Sequence, residues 1–385
     1  MAERPASSQA PDSEASTSGS GLTVDEKVAL CMSFAQECIE EAELRSLFAS
    51  NKPSIVAYDG FEPSGRMHIA QGVMKALNVN KLLHCGVTFK FWVADWFAQL
   101  NDKMGGDLKK IKVVGEYMIE IWKACGMEGI GDSSKVQFLW ASEEINRSPD
   151  EYWTLVMDVA RRSTLARVRR CSQIMGREES DDLSAAQVFY PCMQCADVFY
   201  LKADICQLGQ DQRKVNMLAR EYCTATKRKF KPVILSHAML PGLLQGQAKM
   251  SKSDPGSAIF MEDSEAEVGA KIKKAFCPPP PPPPADGGAA EEWNPRDNPC
   301  LEYVRMIVLP RFGRFEVSHK DGSKEYTSFE EITADYGSGA LHPGDLKPAL
   351  AKAINAILQP VREHFASDDR ARKLLTQVKS YKTTR

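Results

Sequence analysis

Two short segments hold the side chains best suited to chemistry. Lys249-Met250-Ser251-Lys252-Ser253 puts two ammonium groups and two hydroxyls on one loop, and Gly242, Gly246 and Gly256 nearby let that loop open and close. Far upstream, Pro63-Ser64-Gly65-Arg66-Met67-His68-Ile69-Ala70-Gln71 puts an imidazole and an amide at the expected start of a helix. Alone, a lysine–serine loop is usually a solvated turn, and a histidine opening an apolar helix is usually structural. Together they suit a nucleoside triphosphate. His68 follows a Pro-Ser-Gly turn, where helix-terminal N–H groups make a natural phosphate site. Gln71, three residues on, shares its face. Both can hydrogen-bond oxygens that gain charge as phosphorus becomes five-coordinate. Lys249, Lys252, Ser251 and Ser253 supply charge and donors from the opposite side, stabilising a leaving pyrophosphate by electrostatics and positioning. A carboxylate nucleophile is already ionised at neutral pH and needs no general base. The chemistry implied is adenylation of a carboxylic acid.

Elements that could position these residues follow from periodicity. Helical spacing through 22–50 (Val28, Cys31, Met32, Phe34, Ala35, Cys38, Ile39) suggests one or two helices ahead of the main fold. Ser54–Tyr58, Thr88–Ala94, Val136–Trp140 and Pro232–Leu235 read as strands, alternating with helices after His68 and over Ile111–Met127. That alternation predicts an α/β fold with a parallel sheet and right-handed crossovers. Ligands in such a sheet sit beyond the carboxyl ends of the strands, where Tyr58 through His68 fall. A charged, arginine-rich stretch over 148–185 is expected to be helical. The unbroken run Pro278–Pro284 marks a polyproline segment flowing into a tether. Beyond it the pattern is helical again, with Leu341-His342-Pro343-Gly344-Asp345 as a turn and helix start.

Composition narrows the classes. The 385 residues are 43% hydrophobic and 26% charged with a net charge of −2, so any contact with a polyanion must come from local basic patches rather than a global field. No apolar run reaches the ~20 residues that cross a bilayer. The first 21 residues lack the apolar core of a targeting peptide and read as a disordered tail. Eleven cysteines, scattered through apolar segments, read as reduced and mostly buried thiols of a cytosolic protein. Cys192-Met193-Gln194-Cys195 has no second pair at zinc-finger spacing, so no metal site is expected there.

These segments resemble the HIGH-like and KMSKS elements of class I aminoacyl-tRNA synthetases. Tyr58-Asp59-Gly60-Phe61-Glu62-Pro63-Ser64-Gly65 and Tyr190-Pro191-Cys192-Met193-Gln194-Cys195-Ala196-Asp197 are similar to tyrosyl-tRNA synthetases of the archaeal and eukaryotic cytoplasmic type. The likeness runs from about residue 25 to the end, interrupted mainly by the prolines. It implies a Rossmann-like catalytic domain over 22–262 with a helical insertion at about 148–185. A linker over 263–297 and a small all-helical anticodon-binding domain over 298–385 would follow, with no appended C-terminal domain. Tyr58 and Asp197 would meet a phenolic hydroxyl, Asp197 as acceptor. Asp197 lies in an apolar stretch where an unpaired carboxylate would be costly. Tyr190, Gln194 and Gln212 would hold the amino acid's ammonium and backbone end. Gly60, Glu62, Gly65, His68 and the loop residues Lys249, Met250, Ser251 and Lys252 would lie at ATP, with Ala94 and Asp95 as further candidates. Mg2+ would ride on the triphosphate rather than in a protein cage.

The HIGH motif departs here to His68-Ile69-Ala70-Gln71; Gln71 keeps a donor but no charge, which makes it a helper. The resemblance also implies tRNA(Tyr) as partner. Arg170 and Arg213 would read the first acceptor base pair, Asp345 would read the first anticodon base, and a homodimer would form through 148–185. A solvated face for the arginines and a helix cap for Asp345 are the plainer readings. Of the rivals, a tryptophanyl enzyme is disfavoured by Tyr58 and Asp197, and a non-catalytic RNA-binding paralogue by retention of His68 and both loop lysines. A nucleotidyltransferase would leave the helical C-terminal region and its Asp345 turn unexplained.

Overall fold

The computed structural model describes residues 21–131, 135–177, 180–247, 250, 256–280, 293–319 and 322–382. The expected tail, Lys249, Ser251, Lys252, Ser253 and most of the proline segment lie outside the described residues.

Six strands form one sheet: β1 (Ala35–Ile39), β2 (Val56–Phe61), β3 (Thr88–Val93), β4 (Val136–Trp140), β5 (Ile205–Cys206) and β6 (Val233–His237). Their order is β1-β6-β5-β2-β3-β4, and every neighbouring pair is parallel except β1 against β6. The alternation of strand and helix therefore gives the parallel sheet it predicts. β1 corrects the all-helical reading of 22–50: helices Val24–Met32 and Glu41–Ala49 flank an antiparallel edge strand. Five residues are too short for spacing alone to distinguish strand from helix, and pairing with β6 decides.

Local signals set the helices that matter for the site. Helix Ala185–Tyr200 starts at a reciprocal cap between Ser184 and Gln187. Asp107 caps helix Leu108–Ala124 through the backbone N–H groups of Lys109 and Lys110. The arginine-rich stretch is helical over Pro149–Arg162 and Leu165–Arg169.

The C-terminal region is helical, with long helices Pro343–Ser367 and Asp369–Ser380, and also holds an antiparallel hairpin, β7 (Phe315–His319) with β8 (Gly322–Tyr326). The hairpin is an addition to the all-helical expectation. Residues 263–297, read as a linker, open with helix Glu265–Lys274, whose Val268 and Ile272 are four apart and both buried. One apolar core runs without a break from Phe89 and Phe91 under the sheet to Leu350, Ile354 and Phe365 of the C-terminal helices. All eleven cysteines are free thiols, nine of them buried. Among the described residues no helix is long and apolar enough to cross a membrane.

Candidate active site

A cavity of about 350 Å3 opens at the carboxyl ends of β2 and β3. Helix Ala185–Tyr200 delivers Tyr190, Gln194 and Asp197 to it from one face, because positions i, i+4 and i+7 line up on a helix. β2 contributes Tyr58 and Gly60, and the loop after it contributes Glu62.

At the inner end the Tyr58 hydroxyl is buried without a hydrogen-bond partner, and the residue is 1% exposed. An orphaned hydroxyl costs about 1–3 kcal/mol unless a ligand satisfies it. Asp197, also 1% exposed, accepts a 2.8 Å hydrogen bond from the Tyr152 hydroxyl. Burial pushes the Asp197 carboxyl well above the usual carboxylate range, and the Tyr152 bond opposes that shift. The result is a buried polar end to the cavity, with one unpartnered hydroxyl and one braced carboxyl.

At the next position outward, Gln194 Nε2 donates to Gln212 Oε1 at 3.0 Å, leaving Gln194 Oε1 as an acceptor. Tyr190, expected at an ammonium, donates its hydroxyl to Glu62 Oε1 at 2.7 Å while its oxygen keeps lone pairs to accept. Both Glu62 oxygens also take bonds of 3.1 Å from Asn101 Nδ2.

The part of the cavity around His68 is built by closing one distant segment onto another. Ile69 N–H donates to Ile259 O and Met261 N–H to Met67 O, both at 2.9 Å, so residues 67–69 are stitched to the chain that leaves the lysine–serine loop. Arg66 locks the seam, bonding Glu262 at 2.5 Å and Asp263 at 3.0 Å with its guanidinium 4.1 Å from the Phe260 ring centroid. Gly72 makes the approach possible: a Cβ there would lie 2.3 Å from the Met261 sulfur.

His68, Gln71 and Met250 consequently line the same cavity as Tyr58. The Gln71 backbone N–H donates to His68 O at 3.0 Å and also reaches His68 Nδ1 at 3.4 Å. Gln71 Oε1 is buried and unpartnered, while its backbone carbonyl is held by Trp122 Nε1 at 2.9 Å.

Several sequence-derived candidates lie elsewhere. Gly65 does not line the cavity; its φ of +118° shapes the turn that presents His68. Ala94 lines the cavity, but Asp95 is buried beneath it, accepting from Trp96 N and Ser142 N at 2.9 Å and from Ser142 Oγ at 2.5 Å. Arg213 opens helix Arg213–Ala225 and grips Glu37 of β1 through bonds of 2.6 and 2.8 Å. Arg170 is exposed at the end of helix Leu165–Arg169. Asp345 is not the cap of its helix: His342 is, through Nδ1 to Gly344 N at 3.0 Å. Asp345 stands in the first turn, 3.4 Å from His319 of β7.

Sequence reasoning missed Tyr152 and a buried polar chain beside the cavity. Lys75 Nζ lies 2.5 Å from Asp59 Oδ2 and donates to Gln207 Oε1 at 3.1 Å, and Gln207 Nε2 lies 2.8 Å from His237 Nδ1. Burial raises the Asp59 carboxyl despite Lys75, and burial and then the Lys75 charge hold His237 well below the ordinary histidine range. His237 is thus neutral and accepts at Nδ1. Lys75 shares a helix face with Val79 and Leu82, and a lysine in that apolar stripe was the available signal.

A Rossmann-like sheet with this cavity at its carboxyl edge, followed by a helical region, defines a class I synthetase architecture. The family described as tRNA synthetases class I (W and Y) matches residues 50–359, and the chain belongs to it. It is 60% identical over 379 residues to the tyrosine–tRNA ligase 1, cytoplasmic, of Arabidopsis thaliana, covering 97% of this chain and 94% of that one. The tyrosyl-tRNA synthetase of Leishmania major in complex with tyrosinol superposes with a TM-score of 0.84 at 53% identity, over 94% of this chain and 66% of that one. The Pyrococcus horikoshii tyrosyl-tRNA synthetase complexed with L-tyrosine gives 0.81 at 32% identity, over 93% and 100%.

Proposed function

We propose that this chain is a tyrosine–tRNA ligase acting in the cytoplasm. It would form tyrosyl-adenylate from tyrosine and ATP, then pass the acyl group to the 3′ end of tRNA(Tyr). The observation that carries the reading is the unpartnered Tyr58 hydroxyl in a slot that also holds the Tyr152-braced Asp197. A phenol satisfies both; an unsubstituted ring leaves them unpaired, and an indole N–H can serve only one.

Tyrosine's carboxylate attacks the α-phosphorus of ATP, the bond to the bridging oxygen breaks, and pyrophosphate leaves. The His68 ring and the Gln71 amide would face that centre, and Lys249, Ser251 and Lys252 would supply positive charge and donors to it. Gln194 Oε1 and the Tyr190 oxygen accept from the α-ammonium. A ribose hydroxyl of the tRNA then attacks the acyl carbon and AMP departs. Mg2+ fits as a passenger on the triphosphate: Asp59 is committed to Lys75, and Glu62 to Asn101 and Tyr190.

The division into a catalytic part over 22–262 and an anticodon-reading part over 298–385 belongs to the same reading, with Arg170, Arg213 and Asp345 as tRNA contacts. So does a homodimer through the 148–185 helices. There Trp153 stacks on Phe189, and Met157, one turn from Trp153, is 60% exposed.

The test is tyrosine-dependent ATP–pyrophosphate exchange across the twenty amino acids. Tyrosine alone should support it. Exchange with tryptophan instead would transfer the chain to the tryptophanyl branch, and none with any amino acid would leave a non-catalytic paralogue.

A further inference from the structure

We propose that a second cleft, beside the catalytic cavity, binds one further nucleotide, with its phosphate at Lys81 and Arg296 and its base edge at Asn78. The cleft has a volume of about 650 Å3. It lies between helix Lys75–His84, the turn entering β1, and the helix that runs, through a π-turn, from Pro299 to Phe312. Met74, His237 and Met239 line both this cleft and the catalytic cavity, so the two share a wall. The described residues hold two π-turns, Ala70–Met74 and Val304–Val308. Both reach the cleft, the first through Met74 and the second through Arg305 and Met306. Such single-turn bulges re-aim side chains and recur at ligand sites.

Polar groups lining the cleft lack partners. Asn78 is 6% exposed, and its side-chain amide has no hydrogen-bond partner among the described residues. An orphaned buried amide costs about 1–3 kcal/mol until a ligand satisfies it. Gln210 Oε1 is likewise buried and unpartnered. Lys81, three residues after Asn78, is its neighbour on the helix surface. The Lys81 ammonium donates to Ser33 Oγ at 2.8 Å and keeps further N–H donors. Neither Lys81 nor the exposed Arg296 is ion-paired among the described residues. Glu302 is the only carboxylate lining the cleft among those residues, and Arg305 occupies it through two bonds of 2.6 Å. Three cations against one committed carboxylate make a local basic patch in a chain of net charge −2.

These groups define the ligand. Lys81 and Arg296 suit an anion with several acceptor oxygens. Asn78 and Gln210 suit a group that both donates and accepts, and Phe34, Met74, Met239 and Met306 offer aromatic and thioether surface to its faces. A nucleobase joined to a phosphate meets all three demands, whereas a bare anion leaves Asn78 orphaned. Two sources supply that chemistry: the unpaired 3′ strand of the RNA substrate, and a free nucleotide. The shared wall favours the strand, because its last ribose must reach the catalytic cavity while the nucleotides before it lie outside. That source rests on the ligase reading; the free nucleotide does not.

The experiment reads binding and reaction separately on the whole chain. Lys81→Gln should weaken intact tRNA(Tyr) about tenfold in filter binding and lower the slope of log K against log salt by about 0.7. Asn78→Ala should weaken it as well, and Lys81→Arg should stay close to the parent. With tRNA(Tyr) shortened by its last three nucleotides, Lys81→Gln and the parent should bind alike. Tyrosine-dependent exchange uses no RNA and should be unchanged in every variant. Failure of the ligase reading would instead show as absent exchange in the unaltered protein. If a free nucleotide is the occupant, cytidine 5′-monophosphate should bind the parent in calorimetry with a non-hydrolysable ATP analogue in excess. It should then lose about tenfold in Lys81→Gln, with tRNA affinity unchanged. Arg296→Gln, on an exposed turn, keeps the fold intact and should act in the same direction as Lys81→Gln. The proposal is overturned if neither cytidine monophosphate nor the 3′-end-dependent part of tRNA binding responds to Lys81→Gln and Arg296→Gln.

Discussion

Asp197 and Asp345 are the same side chain in opposite surroundings. Asp197 is sealed at the end of the cavity, braced by Tyr152 and pushed by burial toward its neutral form. Asp345 has a side chain 37% exposed and one histidine 3.4 Å away. The first is arranged before any ligand arrives, because a small molecule must find its hydrogen-bonding partners fixed. The second, like Arg213 on Glu37, is held by one partly exposed partner, a contact worth little in water and readily exchanged. A rigid end selects a small substrate; an exchangeable end suits a large one that brings its own charge.

Removing Asp197 should break this contrast most severely. Asp197→Ala is expected to lower tyrosine-dependent exchange by at least about 10^2, since a buried partner for the phenol is lost, while ATP binding measured by calorimetry persists. Near-normal exchange would remove Asp197 from the amino-acid site. Its raised pKa also has a stability consequence. The folded state holds the proton to higher pH than the unfolded chain, so stability falls as pH rises from the unfolded value of about 4 towards the higher folded one. Asp197→Asn should therefore melt roughly 1–3 °C higher than the parent at pH 7, with the gain fading as pH drops to about 4.

The buried chain beside the cavity gives the next largest effect. Lys75→Met leaves the buried Asp59 without its cation and should cost about 3–5 kcal/mol in denaturant unfolding. Adding Asp59→Asn should restore most of it. A double variant no better than the single one would show that Lys75 acts through packing instead. Tyr152→Phe comes third: one hydrogen bond to Asp197 disappears, and KM for tyrosine should rise about tenfold with kcat changed less.

These targets were unequally legible in the sequence. Tyr58, Tyr190, Gln194 and Asp197 sit in two contiguous motif stretches, so their text alone marked them. Tyr152 reaches Asp197 from a separate helix 45 residues earlier, and nothing local distinguishes it from a packing tyrosine. The Asp59–Lys75–Gln207–His237 chain draws each member from a different element, so only the folded sheet brings them together. β1 was hidden because a five-residue strand takes its identity from β6 rather than from its own spacing. The C-terminal hairpin did carry a signal, Asp321-Gly322 between the alternating Phe315 and Val317 and the strand ending at Tyr326, which the surrounding helical pattern obscured.

The exchangeable end should yield smaller and more selective losses. Arg213→Ala is expected to reduce tRNA charging about tenfold while leaving exchange intact, because Arg213 touches Glu37 rather than the cavity. Equal losses in both assays would place it at the amino-acid site.

Asp345→Ala is the smallest step and the most discriminating. The residue is the third of helix Pro343–Ser367, capped by His342 and not by itself, so its loss should hardly change stability. Charging of tRNA(Tyr) should fall several-fold through KM for the tRNA, with exchange unchanged. His319→Ala, which removes the residue beside Asp345 without touching the carboxylate, should weaken charging less. If instead His319→Ala matched Asp345→Ala, the pair would be holding the hairpin to the long helix, and the aspartate would have no separate role in reading RNA.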